Sequence, residues 1–279
     1  MTQDKENLIT FDKDLMFCTV MKHKKPCIKF LESVLEKKIK DVQVREVNIQ
    51  KFLASHPTKK AIFLDVFFED DTTMYNIEMQ SADNDNLINR ATFYDALMIA
   101  GSVPKGKLNY KDLKSRYVIF LCTFDPFKNY NQKCYQIESV CKNVKDLPIE
   151  DGRHILFLNT KGVDGKISTD LEALFEYING GEASIGKETD NELVKLIDDC
   201  VEKTNANEQW RIEYMKYYFD MQDQYDKGVA EGAAKYEAKA KEKEAQSVKN
   251  FYAQGLSVEA IAQGLSLTVA EVETILSAK

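Results

Sequence analysis

The sequence predicts an α/β fold, a mixed sheet flanked by helices, followed by an all-helical C-terminal extension. Three observations carry this. Apolar runs of strand length, at residues 61–68, 74–80 and 117–124, alternate with stretches of helical period up to about residue 180. From about residue 190 to 244 the pattern is helical with only sparse breaks. The chain has 279 residues and is 44% hydrophobic, enough for one sizeable core plus an appendage.

Taken in order, residues 11–22 and 26–37 read as helices. Residues 41–48 alternate apolar and polar like a strand. Residues 61–68 and 74–80 form a hairpin across Glu69-Asp70-Asp71-Thr72-Thr73, a stretch of turn-formers. Residues 86–100 are helical, and Gly101 is expected to stop that helix. Residues 117–124 form a short apolar run of buried-strand type, residues 134–141 and 153–159 are further strands, and a helix over 170–179 ends at Gly180-Gly181. The expected domains are 1–185 for the core, 186–245 for a helical extension and 246–279 for a small helix-turn-helix-like tail.

Within the extension, Trp210, Tyr214, Tyr217, Tyr218 and Met221 supply an apolar stripe, read first as a packing face. Gly228-Val229-Ala230-Glu231-Gly232 is expected to mark a bend, and residues 235–249 have the Lys/Glu/Ala composition of a solvated helix or coiled coil. In the tail, Ser257 and Thr268 are good helix N-caps, and Gly255 and Gly264 are expected to end the helices before them. The last helix offers Glu271, Glu273 and Thr274 but no Arg, and phosphate would repel an acidic recognition helix. Self-association or partner docking is therefore placed ahead of DNA reading for this tail, against the plainer reading of a helical cap.

Charge and cysteine usage bound the function. The net charge is −7, where a nucleic-acid enzyme usually presents a basic face. Local basic runs exist, Lys22-His23-Lys24-Lys25 and the group Lys105, Lys107, Lys111, Lys114 and Arg116, although such runs are more often solvated loops. The six cysteines form no C-x-x-C pair and the three histidines are scattered, so no zinc site is readable. With no signal peptide and no transmembrane span in view, the expectation is a reducing cytoplasm and no membrane partner.

The hairpin holds the most informative residues. Asp65 lies in an almost unbroken apolar run, and a lone carboxylate in a buried strand is costly unless paired, protonated or bound to a metal. In the second strand Ile77 and Met79 face one way, and Asn76, Glu78 and Gln80 the other, with Glu78 and Gln80 about 7 Å apart along the strand. If Asp65 shares that face, two carboxylates and an amide converge. Such hard oxygen ligands suit Mg²⁺ or Mn²⁺ rather than zinc. Plainer readings compete: Asp65 capping a turn or pairing with Arg90, and Glu78 and Gln80 on the solvated face of an edge strand.

Asp65, a gap of a dozen residues, then Glu78-Met79-Gln80 resembles the Asp…Glu-x-Lys signature of the PD-(D/E)xK nucleases. The surroundings are similar to one bacterial branch, the PD-(D/E)xK nuclease family transposases, also called recombination-promoting nucleases. The resemblance rests on Asp14-Leu15-Met16-Phe17, Phe30-Leu31-Glu32-Ser33-Val34-Leu35, Leu64-Asp65-Val66, Ile77-Glu78-Met79-Gln80 and Arg90-Ala91-Thr92-Phe93-Tyr94, in the family's order over roughly the first 180 residues. It implies a restriction-endonuclease-like core and a Mg²⁺- or Mn²⁺-dependent DNA endonuclease. Asp65 and Glu78 would be metal ligands, Gln80 would stand at the third catalytic position, and Asp14, Arg90 and Tyr94 would contact substrate or support the site. Gln80 replaces the superfamily's Lys and can take up no proton, so it could only orient water. Of the acidic residues available on the first helices, Asp14, Glu32 and Glu36, Asp14 matches the branch motif best. DNA is the expected partner, with self-association through the C-terminal helices. The alternative is a catalytically inactive nuclease fold that binds nucleic acid or protein.

Overall fold

The computed structural model describes residues 8–39, 42–44, 66–83, 86–102 and 109–278. Asp65, most of the expected strand at 41–48, and Lys105 and Lys107 lie outside the described residues. Two helices come first, α1 (Asp14–Met21) and α2 (Lys24–Leu35). The sheet has strands β1 (Gln43–Val44), β2 (Val66–Glu69), β3 (Thr73–Gln80), β4 (Ser115–Cys122), β5 (Cys134–Ile137) and β6 (Arg153–Asn159), in the order β1-β2-β3-β4-β6-β5. β2 and β3 form the expected antiparallel hairpin, with Val66 opposite Ile77 and Glu69 opposite Met74. β3, β4 and β6 run parallel, with Glu78 beside Phe120 and Gln80 beside Cys122. Helix α3 (Leu87–Ser102) is the crossover that a parallel β3–β4 pair requires.

β3 is thus an interior strand, and all eight of its residues are buried. Strand alternation splits them between two cores. Tyr75, Ile77 and Met79 join Phe17, Phe30 and Leu31 of α1 and α2, with α4 (Thr169–Gly180) and α5 (Glu192–Asn205) completing that layer through Leu174 and Ile197. Met74 lies on the opposite face, where α3 packs Leu87, Ala91, Tyr94 and Met98 against Val118, Phe120 and Phe157. Asn76, Glu78 and Gln80 share the α3 face. A solvated edge-strand setting for Glu78 and Gln80 is therefore excluded.

Several expected boundaries move, each for a local reason. α3 passes through Gly101 to Ser102. Gly180 closes α4, and Gly181 supplies the positive φ of 57° that follows it. At Gly228–Gly232, where the sequence predicts a bend, the helix is not interrupted. α6 (Glu208–Ala253) runs unbroken through both glycines, since one helical glycine costs only about 1 kcal/mol against alanine. Gly255, with φ 87°, follows that helix as expected. Gly264 does not end α7 (Val258–Leu265); Ser266, in the left-handed conformation, does.

The chain divides into two compact units, Met1–Arg211 and Ile212–Lys279. The second has its own small core, where Val248 of α6 meets Ile261 and Ala262 of α7 and Val272 of α8 (Val269–Ser277). The caps read from the sequence are in place. Ser257 accepts from the Ala260 amide, and Thr268 forms a reciprocal capping box with Glu271.

Candidate functional site

The polar face of β3 emerges at the carboxyl ends of the parallel strands, where open α/β sheets place their ligands. Glu78 is only 1% exposed. The Asn76 amide nitrogen donates to Glu78 Oε1 at 2.9 Å, and Arg90 Nη2 approaches Glu78 Oε2 at 3.7 Å. Arg90, one turn into α3, also donates through Nη1 to Gln80 Oε1 and through Nη2 to the Tyr94 hydroxyl at 3.1 Å. Its guanidinium lies over the rings of Tyr94 and Phe120, at 5.7 and 5.5 Å from their centroids. The i, i+4 spacing of Arg90 and Tyr94 places both on the sheet-facing side of α3. Tyr94 is buried and stacks on Phe120, so it serves core and site together.

Gln80 is held at both ends of its amide. Oε1 accepts from Arg90, and Nε2 donates to the Ala82 carbonyl at 2.6 Å. Asp14 opens α1 within reach of Arg90's charge. Desolvation pushes its carboxyl up from the usual carboxylate range, against the opposing effects of its own backbone N–H, Lys13 and Arg90. The other two acidic candidates have structural work. Glu32 accepts from the Ile39 amide at 3.1 Å, and Glu36 is the left-handed C-cap of α2. Glu78, Gln80, Arg90 and Tyr94 thus form one contiguous group, with Asp14 coupled to it electrostatically. Asp65 lies outside the described residues; it directly precedes Val66, whose partner Ile77 precedes Glu78.

One polar group here carries more than the sequence signalled. Asn76 is fully buried, and among the described residues its Oδ1 has no hydrogen-bond partner. An unmet buried acceptor beside a buried carboxylate is a costly arrangement that a cation or an ordered water would relieve. Strand alternation placed Asn76 on the site face, but nothing in the sequence marked its oxygen as unmet. The donor chemistry suits a hard divalent cation: a carboxylate and an amide oxygen, with the neighbouring Cys122 thiol pushed up to about 12 by burial and so kept neutral. Among the described residues no cluster of three or more His, Cys, Asp or Glu side chains is close enough to hold an ion.

Two clefts are lined by described residues near the ends of β3. One of about 410 Å³, lined by Asp83, Asn86, Asn89, Phe127 and Lys128, adjoins the loop leaving β3 on the site's side. A larger one of about 850 Å³, lined by Lys37, Lys38, Asp70, Thr72 and Lys114, opens at the opposite end of β3. Neither lining includes Glu78, Gln80, Arg90 or Tyr94. Of the basic runs, Lys22 to Lys25 are exposed at the α1–α2 corner. Lys114 and Arg116 belong to the fold instead: Lys114 Nζ donates to the Asp70 carbonyl, and Arg116 is buried against Asp95 at 2.6 Å.

Compared with known families, residues 13–228 match the model described as PD-(D/E)XK nuclease family transposase. No curated protein and no solved structure matches the chain.

Proposed function

The chain belongs to the PD-(D/E)XK nuclease family transposases, and from that premise we propose that it is a divalent-metal-dependent DNA endonuclease acting in recombination or mobile-element biology. The observation that supports this most is Glu78, a buried carboxylate at the carboxyl end of an interior parallel strand, gripped by Asn76 and approached by Arg90. In this reading Asp65 joins Glu78 in holding Mg²⁺ or Mn²⁺. The bound ion would polarise the scissile phosphate and lower the pKa of an attacking water. Asn76 keeps Glu78 oriented. Arg90 supplies the positive charge absent at Gln80, and its guanidinium geometry suits a phosphate oxygen as well as a carboxylate. Gln80 fixes Arg90 rather than taking up a proton, and Asp14 supports the site from α1. A cytoplasmic setting fits the six free thiols.

The test is nicking of supercoiled plasmid with Mg²⁺, Mn²⁺ or EDTA, comparing wild type with Asp65→Ala and Glu78→Ala. Metal-dependent nicking lost in both variants is the expected result. A folded wild type that nicks nothing under any metal would sink the reading.

One observation favours a second reading. Gln80 is tied at both ends of its amide, which leaves no proton acceptor at the motif's third position. An inactive descendant would retain DNA binding without cleavage, and a gel-shift assay alongside the nicking assay separates the two.

A further inference from the structure

Asn76 sits where the fold alone has no use for an amide oxygen. It lies within β3, opposite Phe67 of β2 and beside Val118 of β4, both buried in the apolar layer against α3. A fully buried position on an interior strand ordinarily carries an aliphatic side chain. The Asn76 nitrogen has a task, donating to Glu78 Oε1 at 2.9 Å. That contact also fixes which end of the amide points where, because a carboxylate oxygen at this distance accepts from the nitrogen and would be repelled by the oxygen. The oxygen is therefore turned away from Glu78 Oε1, and among the described residues it meets no donor. Gln80, on the same face, shows the ordinary case, with both ends of its amide engaged. A buried acceptor left unmet costs the full desolvation of that group, so the Asn76 oxygen is a liability to the fold by itself.

We propose that Asn76 Oδ1 is itself a ligand of the divalent cation, which makes Asn76 the uncharged member of the metal centre beside Glu78. The inference rests on the reading of Glu78 as a metal ligand. Three observations converge on it. Full burial limits an occupant to a bare ion or a single water. The adjoining carboxylate, only 1% exposed, sets a negative potential that favours the ion. An amide oxygen and a carboxylate, two residues apart on one face of a strand, are hard donors of the kind that Mg²⁺ and Mn²⁺ take. One side chain then does two things: its nitrogen orients Glu78, and its oxygen joins Glu78 on the ion. The choice of an amide also has a consequence for the substrate. It adds an oxygen without adding negative charge, so an anionic phosphate meets less repulsion than another carboxylate would present.

The experiment measures Mn²⁺ binding to the full chain without DNA, from the electron paramagnetic resonance signal of the free ion. The urea midpoint at each Mn²⁺ concentration is a second readout, since an ion that binds only the folded state raises it. The wild type is expected to bind Mn²⁺ and to be stabilised by it, and Glu78→Ala to lose both. Asn76→Leu should bind at least tenfold more weakly. The paired change Asn76→Asp with Glu78→Gln separates a ligand from a support for Glu78. It exchanges carboxylate and amide between the two positions and keeps one charge and one donor facing an acceptor, so it decides the matter even where Asn76→Leu does not fold. Glu78→Gln alone should lose at least tenfold in Mn²⁺ affinity, and adding Asn76→Asp should recover most of that loss. Asn76→Leu with wild-type affinity, or a pair that binds no better than Glu78→Gln alone, overturns the assignment of Asn76 while leaving Glu78 as a ligand, and the oxygen then holds water. A wild type that neither binds Mn²⁺ nor gains stability from it overturns the metal reading of Glu78 and this assignment with it.

Discussion

Replacing Glu78 with Gln separates a carboxylate kept for chemistry from one kept for the fold. The two opposing magnitudes can be worked from the site. At 3.7 Å, with an effective dielectric constant of about 20, the attraction between Arg90 and Glu78 is roughly 4 kcal/mol. Against it stands the desolvation of a carboxylate only 1% exposed, effectively several kcal/mol. Arg90 would not be stranded by the change. Its side chain is 34% exposed, and it still has Gln80 Oε1 and the Tyr94 hydroxyl as partners. Gln at position 78 keeps an oxygen for the Asn76 donor. The two large terms therefore nearly cancel, and the variant should unfold in urea within about 1 kcal/mol of wild type, on either side. Nicking should meanwhile fall at least a thousandfold, about 4 kcal/mol of lost transition-state stabilisation. The informative quantity is the contrast between the two assays. A variant destabilised by more than about 3 kcal/mol with its residual activity intact would show that Glu78 is a structural ion-pair partner, and the argument for a functional carboxylate would fail.

Three further expectations concern the scaffold. Asp95→Ala strands Arg116, which is 5% exposed and keeps only the Lys114 and Asp151 carbonyls, so urea unfolding should show a loss of about 3 kcal/mol; a loss below 1 would mean that water reaches the guanidinium. At Asp70 burial pushes the carboxyl up, but hydrogen bonds from Thr72, Tyr75 and Thr73 outweigh it and hold the group below its ordinary value. The folded value is thus below the unfolded one, so this contribution is fully present above about pH 4 and lost as pH falls through the folded value. Asp70→Asn should accordingly flatten the acid limb of a pH–stability curve, and an unchanged limb would refute the assignment. Thr268→Ala removes the capping box of α8 and should cost about 1 kcal/mol, read as a loss of helical circular dichroism on heating in the Ile212–Lys279 unit; an unchanged melt would show that the small core alone holds that helix.

Much of this was legible in the sequence because local signals agreed with the tertiary outcome. The alternation of Asn76, Glu78 and Gln80 survives as one buried face, and the turn-formers after Glu69 do make the hairpin. The caps Ser257 and Thr268 also act as caps. Other features depend on partners distant in sequence. Arg116 read as one of a basic run, yet Asp95, on the crossover helix, buries it. Glycine misled in both directions, for the same reason. Gly228 and Gly232 do not interrupt α6, because hydrogen bonding along a long helix absorbs an isolated glycine, while a serine, Ser266, takes the left-handed position expected of Gly264. Periodicity cannot report whether a buried amide oxygen finds a donor, so the unmet acceptor on Asn76 emerges only in three dimensions.

The interior position of β3 has a kinetic consequence. From Met74 to Ile77 its backbone lies between β2 on one side and β4 on the other, with packed side chains on both faces. No fraying motion can expose the amides from Met74 to Ile77 while the sheet persists. They should be among the last in the chain to exchange with deuterium, at a rate set by global unfolding. The groups around Glu78 are therefore held in place before any ligand arrives, and the entropy of assembling them is spent during folding rather than at each encounter with a substrate.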